Sequence, residues 1–172
     1  ALADFARVPH ERRVLEARAW WDAESRRGAR FALGDPDVEA ALNAARVTLL
    51  ACRERRGERW FPIGGPLQYR DVWLRDGARA VQALAILGDT DEARQLAAGL
   101  RSLQWPSGAF ITQRGQPDGT GQALWAFDQA ALRPPLSGDS LAAFADAAVR
   151  AWRWCESRRS IMAGLGAPHG AL

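Results

Sequence analysis

The stretch "VWLRDGARAVQALAILGDTDEARQLAAGL", residues 72–100, decides how this chain folds. Its Ala-rich apolar run predicts a helix from about 74 to 87 that stops at Gly88. A second helix restarts at Asp89, with Glu92 three residues later in the spacing of a capping box, and runs to about 103. Only a tight turn separates them, so the unit is a helical hairpin. The first helix is the more apolar, as an inner element is. The second carries Asp91, Glu92, Arg94 and Arg101, as a solvated outer helix does.

The same unit extends in both directions. A helix from Pro36 to Arg56 has Asp35 as N-cap, Pro36 in its first turn and Gly57 as its stop, with Val38, Leu42, Ala45, Leu49 and Cys52 as the expected apolar stripe. One more helix precedes it, from about 10 to 27. A fifth covers about 119–132 and is closed by Pro134 and Pro135. A sixth covers about 140–158, with Leu141, Phe144, Ala148, Trp152 and Cys155 on one face. Helix starts near 36, 89 and 139 lie about 50 residues apart, which reads as a hairpin repeated three times. No segment alternates polar and apolar residues long enough to predict a strand. The expectation is an all-α chain of about six helices, a single domain over 1–172, with two layers of helices in an α/α toroid or solenoid. Three hairpins make an arc whose closing faces need further chain or a partner.

Composition narrows the function. With 172 residues, 48% hydrophobic and 25% charged, the chain can bury a core. All 23 basic residues are Arg, but acids are interspersed among them, and Glu54 and Glu58 interrupt "RERRGER" at 53–59. A net charge of +3 spread this way predicts no nucleic-acid partner. No apolar run approaches the ~20 residues that cross a bilayer, and no signal-peptide pattern is seen, so no membrane partner and a cytoplasmic location are expected. Cys52 and Cys155 sit in helical patterns among apolar neighbours and read as buried free thiols. The chain starts at Ala1 without Met and stops in the loop-like "GLGAPHGAL", which reads as a piece of something longer.

Both inner helices open on charge. "WLRDGARA" leads into the third helix and "RGQPDGTGQALWA" into the fifth, placing Asp76-Gly77 and Asp118-Gly119 at matching positions 42 residues apart. An Asp at a helix start caps free N–H groups for about 1 kcal/mol. Capping accounts for the Asp residues but leaves Tyr69, Arg70, Asp71, Trp73, Arg75, Arg114 and Gln122 unexplained. Planar Arg and carboxylate groups form bidentate hydrogen bonds to paired hydroxyls, and aromatic faces pack on sugar rings, so the mixture suits a carbohydrate pocket. An Arg-Asp lattice tying the loops together is the alternative. The long loops 57–72 and 104–118 both lie at this end, and Trp60, Trp73 and Trp105 on them are candidates for sugar stacking, whereas Trp125 and Trp152 read as core.

Residues 72–100 resemble the Trp-x-Arg-Asp entrance of the six-hairpin glycosidases, the glucoamylase-like (α/α)6 toroids. "RGQPDGTGQALWAF" is similar to their next inner-helix entrance, and together the two motifs cover about 69–128. The resemblance implies half of a six-hairpin barrel, in which Arg75 and Asp76 hydrogen-bond sugar hydroxyls beside Trp73 and Asp118 lines the same pocket. Tyr69, Arg114 and Gln122 join the substrate-binding set by proximity.

Glycoside hydrolysis also uses two carboxyl groups flanking the bond. In relatives of this kind these come from later parts of the barrel, and Glu156 in "WCESRRS" reads as a solvated helix end, so the catalytic residues stay unassigned. The expectation is one wall of the sugar pocket of an acid-base glycosidase, with the remainder of the barrel or a self-association partner completing it. Two rivals stand beside it. A non-catalytic helical-repeat scaffold binding carbohydrate or protein would use the same pocket, and "QWPSGAF" resembles the Gln-x3-Gly-x-aromatic motif of terpenoid cyclases. No cofactor and no metal are expected: His10 and His169 lie near the termini, no Lys exists for a phosphate loop, and "GLGAPHG" has the wrong glycine spacing for a nucleotide fingerprint.

Overall fold

The computed structural model describes residues 7–132 and 137–164, with side chains as far as Arg159. Six helices and one hairpin follow in order: α1 (His10–Glu24), α2 (Pro36–Ala51), β1 (Arg53–Arg56), β2 (Arg59–Pro62), α3 (Leu74–Ile86), α4 (Thr90–Arg101), α5 (Gly119–Leu132) and α6 (Gly138–Gly164). The chain is mainly helical, as its periodicity predicts. The Pro134-Pro135 stop and the loop 165–172 with His169 lie outside the described residues.

The hairpin corrects the expectation of a helix continuing to Arg56 and of a plain loop after it. α2 ends at Ala51, and the chain turns back through Gly57 at φ 61° and Glu58, a two-residue connection with Gly at its first position. Arg53 pairs with Pro62, Glu54 with Phe61, Arg55 with Trp60 and Arg56 with Arg59, and Ile63 N extends the ladder to Cys52 O at 3.0 Å. Arg53 lies 5.4 Å from the Trp60 ring centre and Arg56 5.6 Å from that of Phe61, so the strands' own cations cover their aromatics. Phe61, Pro62 and Ile63 are buried, and β2 packs on α4. Gly99 makes that approach possible, because any Cβ there would collide with the Trp60 carbonyl.

The core joins α3, α4, α5 and α6. α3 packs against both α4 and α5, α4 against α5 and β2, and α5 against α6. Val81 and Leu84 of α3, Leu96 and Leu100 of α4 and Ala123 and Ala126 of α5 are fully buried around Phe110. Phe127 bridges Phe110 and Phe144, with ring centres 5.5 and 5.2 Å away. α6 enters through Phe144, Ala147 and Ala151. Leu141 and Trp152, expected on its inner face, are exposed instead, because the small alanines one position over let α6 approach closely. Trp125 packs at the core margin with Arg79 4.5 Å above its ring. α2 is likewise rotated from its expected stripe: Val38 is exposed, and the buried positions are Arg46 and Leu50.

Asp35 caps α2 as predicted, its Oδ1 accepting from Asp37 N at 3.0 Å and Val38 N at 3.3 Å. Asp89 does not cap α4 with its side chain. Its carboxylate takes two hydrogen bonds from Arg46, Nε to Oδ2 at 2.6 Å and Nη2 to Oδ1 at 2.5 Å, with the side chains 4% and 2% exposed. Arg46 Nη1 also donates to Ser25 O at 2.8 Å, and Ala29 N donates to Leu87 O at 2.7 Å. The end of α1, the middle of α2 and the α3–α4 turn are thus tied at one point. Both cysteines are free thiols and only partly buried, and burial pushes the Cys155 thiol up.

Removing one member of a buried ion pair strands the other, at a cost of about 3–5 kcal/mol. Asp89→Ala is expected to lower the urea unfolding free energy by about that amount, and Arg46→Met with Asp89→Leu to recover most of the loss. Equal destabilisation in the single and double variants would show that the pair's charge plays no such part.

Candidate functional site

The amino-terminal ends of α3 and α5 meet at the end of the molecule opposite the Arg46–Asp89 tie. Arg75 Nη1, on the first turn of α3, lies 3.8 Å from Asp118 Oδ2, just ahead of α5, and these side chains are 55% and 44% exposed. The two charged entrances of the sequence are therefore neighbours in space, and α3 and α5 run side by side in the same direction.

The Asp-Gly pairs are not at equivalent positions. Trp73 stands at the N-cap of α3 without a side-chain capping bond, which puts Asp76 third in the helix, whereas Asp118 precedes the first residue of α5. Asp118 contributes its main-chain carbonyl, which accepts from Gln122 N at 3.2 Å. What the pairs share is buried glycine. A Cβ on Gly77 would meet Pro62 Cγ at 2.7 Å, and one on Gly119 would meet Leu74 Cδ1 at 2.6 Å and Phe110 O at 2.7 Å. These glycines let the hairpin close on α3 and let α3 close on α5, so the entrances are positioned by packing beneath them.

The remaining candidates are spread around this junction. Trp73 is half-buried, and Asp76 is exposed on the first turn of α3 with no hydrogen bond or ion pair among the described residues. Tyr69 is 75% exposed and is held at φ 55°, a left-handed conformation that costs a non-glycine residue about 1–3 kcal/mol. Its carbonyl accepts from Gly64 N at 2.9 Å, which closes the loop 64–69. Arg114 is exposed on the second loop, and Gln122 is half-buried in the first turn of α5. Among the described residues no side-chain hydrogen bond or ion pair joins Tyr69, Arg114 or Gln122 to the Arg75–Asp118 pair, and Gln122 meets it only through its main-chain N–H on the Asp118 carbonyl.

The hairpin supplies groups that sequence reasoning missed. Glu54 Oε1 accepts from Arg56 Nε at 3.0 Å, Glu54 Oε2 lies 2.8 Å from Arg70 Nη2, and Arg56 also donates to the Arg70 carbonyl. The Arg-Asp lattice expected as an alternative thus exists as an Arg-Glu lattice one step away. It fixes Arg70, while Asp71 has no hydrogen bond or ion pair among the described residues. The hydrogen bond from Arg56, with the charges of Arg56 and Arg70, holds the Glu54 carboxyl below the usual carboxylate range against some opposing desolvation. Beside this lattice Arg56, Asp71, Val72, Trp105, Thr112 and Gln113 border a pocket of about 290 Å³. Of the three loop tryptophans, Trp60 is committed to the hairpin, Trp73 to the start of α3, and Trp105 alone is largely exposed, at 53%.

Gln104 links the turn after α4 to α6: its Nε2 donates to Gly108 O at 3.0 Å and Ala147 O at 2.8 Å. Among the described residues no group of three or more His, Cys, Asp or Glu could hold a metal ion, and no helix is long and apolar enough to cross a membrane. Glu156 pairs with Arg159 at 2.9 Å on α6. Comparison with protein-family models, with curated proteins and with solved structures gave no match.

Glu54 provides a pH test. Its folded pKa lies below the unfolded value of about 4.3, so its contribution to stability is complete above that value and is lost as pH falls through the folded one. The stability gap between wild type and Glu54→Gln, followed by urea unfolding, is expected to be constant above about pH 5 and to close below about pH 4. A gap that persists unchanged at pH 3 would exclude the carboxylate's charge as its source.

Proposed function

We propose that the chain forms one wall of a carbohydrate pocket in a glycoside hydrolase-like protein built as an α/α toroid. The observation that carries this reading is the junction of the two entrances, with Arg75 and Asp118 3.8 Å apart and Asp76 unpaired beside them. A guanidinium and two exposed carboxylates on adjacent helix ends offer donors and acceptors at the spacing of neighbouring sugar hydroxyls, and half-buried Trp73 adds an apolar face. Arg75, Asp76, Asp118 and Trp73 are the proposed core of the substrate site, with Tyr69, Arg114 and Gln122 on its rim. The part played here is binding and orienting the sugar, and the acid and base of hydrolysis come from elsewhere in the complete barrel.

The toroid reading draws on the helix layers. α3 packs against both α4 and α5, and α6 packs against α5. On α6 Leu141, Val149 and Trp152 form an exposed stripe next to the buried Phe144–Ala147–Ala151 face, which is where a further hairpin of the barrel, or a second copy, would pack. The same stripe favours the second reading, a helical-repeat scaffold that binds without cleaving. Two free thiols fit the cytoplasmic setting proposed with it.

Hydrogen bonds to charged groups contribute about 1.5–3 kcal/mol each. Arg75→Ala and Asp76→Asn are each expected to weaken binding of gluco-oligosaccharides by about tenfold or more in calorimetric titration, with melting temperatures within about 2 °C of wild type because both side chains are exposed. Wild-type affinity in both variants would sink the pocket assignment. Hydrolysis by the chain alone would overturn the division between binding and cleavage.

A further inference from the structure

We infer that the pocket beside the hairpin is a second saccharide-binding site, with Trp105 as its stacking platform and Asp71 and Gln113 as its hydroxyl grips. It rests on the carbohydrate reading of the entrance and extends it to a ligand longer than one sugar. None of the residues that carry the entrance borders this pocket.

Trp105 stands on a pinned stretch of backbone and is 53% exposed. Its N–H donates to Ala109 O at 2.9 Å and its carbonyl accepts from Gly108 N at 2.8 Å, closing a turn around Gly108 at φ 95°. Gln104 pins the turn to α6 through Ala147 O. With that backbone fixed before binding, only the indole's own rotamers remain to be ordered when a ligand lands on it. The chain has ordered an apolar face toward solvent at a position where burial does not reward it.

The other walls select the ligand's chemistry. Asp71 contributes a carboxylate without a hydrogen bond or ion pair among the described residues, and Thr112 and Gln113 add neutral polar groups. Arg56 is held by Glu54 and the Arg70 carbonyl, so its charge is already compensated. A phosphate or carboxylate ligand would meet Asp71 with no free cation in these walls to balance it. A neutral, hydroxyl-rich ring with an apolar face satisfies all four walls, and about 290 Å³ suits one or two pyranose units. The site lies on the same end of the molecule as the Arg75–Asp118 junction, between the hairpin and the second loop, where the remote end of an oligosaccharide can reach it.

The test titrates the full chain with glucose and with maltohexaose by calorimetry, using Trp105→Ala, Trp105→Phe and Asp76→Asn, with circular dichroism as the check on folding. Trp105→Ala is expected to weaken maltohexaose about tenfold and leave glucose unchanged, and Trp105→Phe to retain most of the affinity, since a ring still stacks. Wild-type maltohexaose affinity in Trp105→Ala, with Asp76→Asn impaired, overturns the second site alone. Loss in Trp105→Ala with Asp76→Asn unaffected on both sugars upholds the second site and overturns the entrance reading. No binding of either sugar by the wild-type chain overturns both, and equal loss in Trp105→Ala and Trp105→Phe overturns stacking.

Discussion

The buried Arg46–Asp89 pair is the constraint from which the arrangement of the helices follows. Taking two charges out of water costs several kcal/mol per ion, which is offset only where the geometry is good and the remaining donors are satisfied. Here the guanidinium meets the carboxylate through two bonds and spends a third donor on Ser25 O. Its partners come from two segments and it stands on a third, so α2 cannot slide along the core and the α3–α4 turn cannot open without stranding a charge. The core helices are registered from this closed end, and the loops at the opposite end can lengthen without disturbing it. Such a division lets loops vary over a fixed scaffold.

Much of this was legible in the sequence where two cues agreed. In α3, α4 and α5 the apolar period coincides with punctuation by Gly88 and by the entrance glycines, and in α2 Asp35 and Pro36 mark the start without ambiguity. Elsewhere the cues were local and the cause was distant. Asp89 followed by Glu92 has the spacing of a capping box, but the carboxylate's partner sits 43 residues earlier, and no local pattern reports it. The hairpin "RERRGERWFP" alternates no apolar residues, since both faces of β1 are polar or only partly covered. What makes it a strand is pairing with β2 and the gap left by Gly99 on α4. On α6 large residues suggested the inner face, and alanines took it because close approach favours small side chains.

The candidate site divides along the same line. The two entrances open on similar motifs, and Arg75 and Asp118 lie 3.8 Å apart. The roles of their parts did not follow. Gly77 and Gly119 matter through what lies under them, Pro62 and Leu74, residues brought there by the hairpin and by α3. Trp60, Trp73 and Trp105 look alike in sequence, on the same long loops. They are separated only by the hairpin that claims the first, the helix start that claims the second and the pinned turn that leaves the third facing solvent.

An exposed ion pair such as Arg75–Asp118 contributes at most about 1 kcal/mol, because water screens it and two long side chains must be ordered to make it. It is therefore too weak to be what holds α3 against α5. The close contact of Gly119 with Leu74 does that, while Thr120, whose buried Oγ1 accepts from Phe110 N at 3.1 Å, ties the second loop to α5. With the backbones fixed from below, the charged groups above are free to exchange their mutual contact for contacts with a ligand at little cost to the fold. Asp76, next to Arg75 on α3, and Asp71, in the pocket beside the hairpin, have no side-chain bond to give up at all. Stability is thus carried by glycine packing and a remote buried pair, while charge and aromatic surface stay uncommitted at the opposite end, as the proposed sugar site requires.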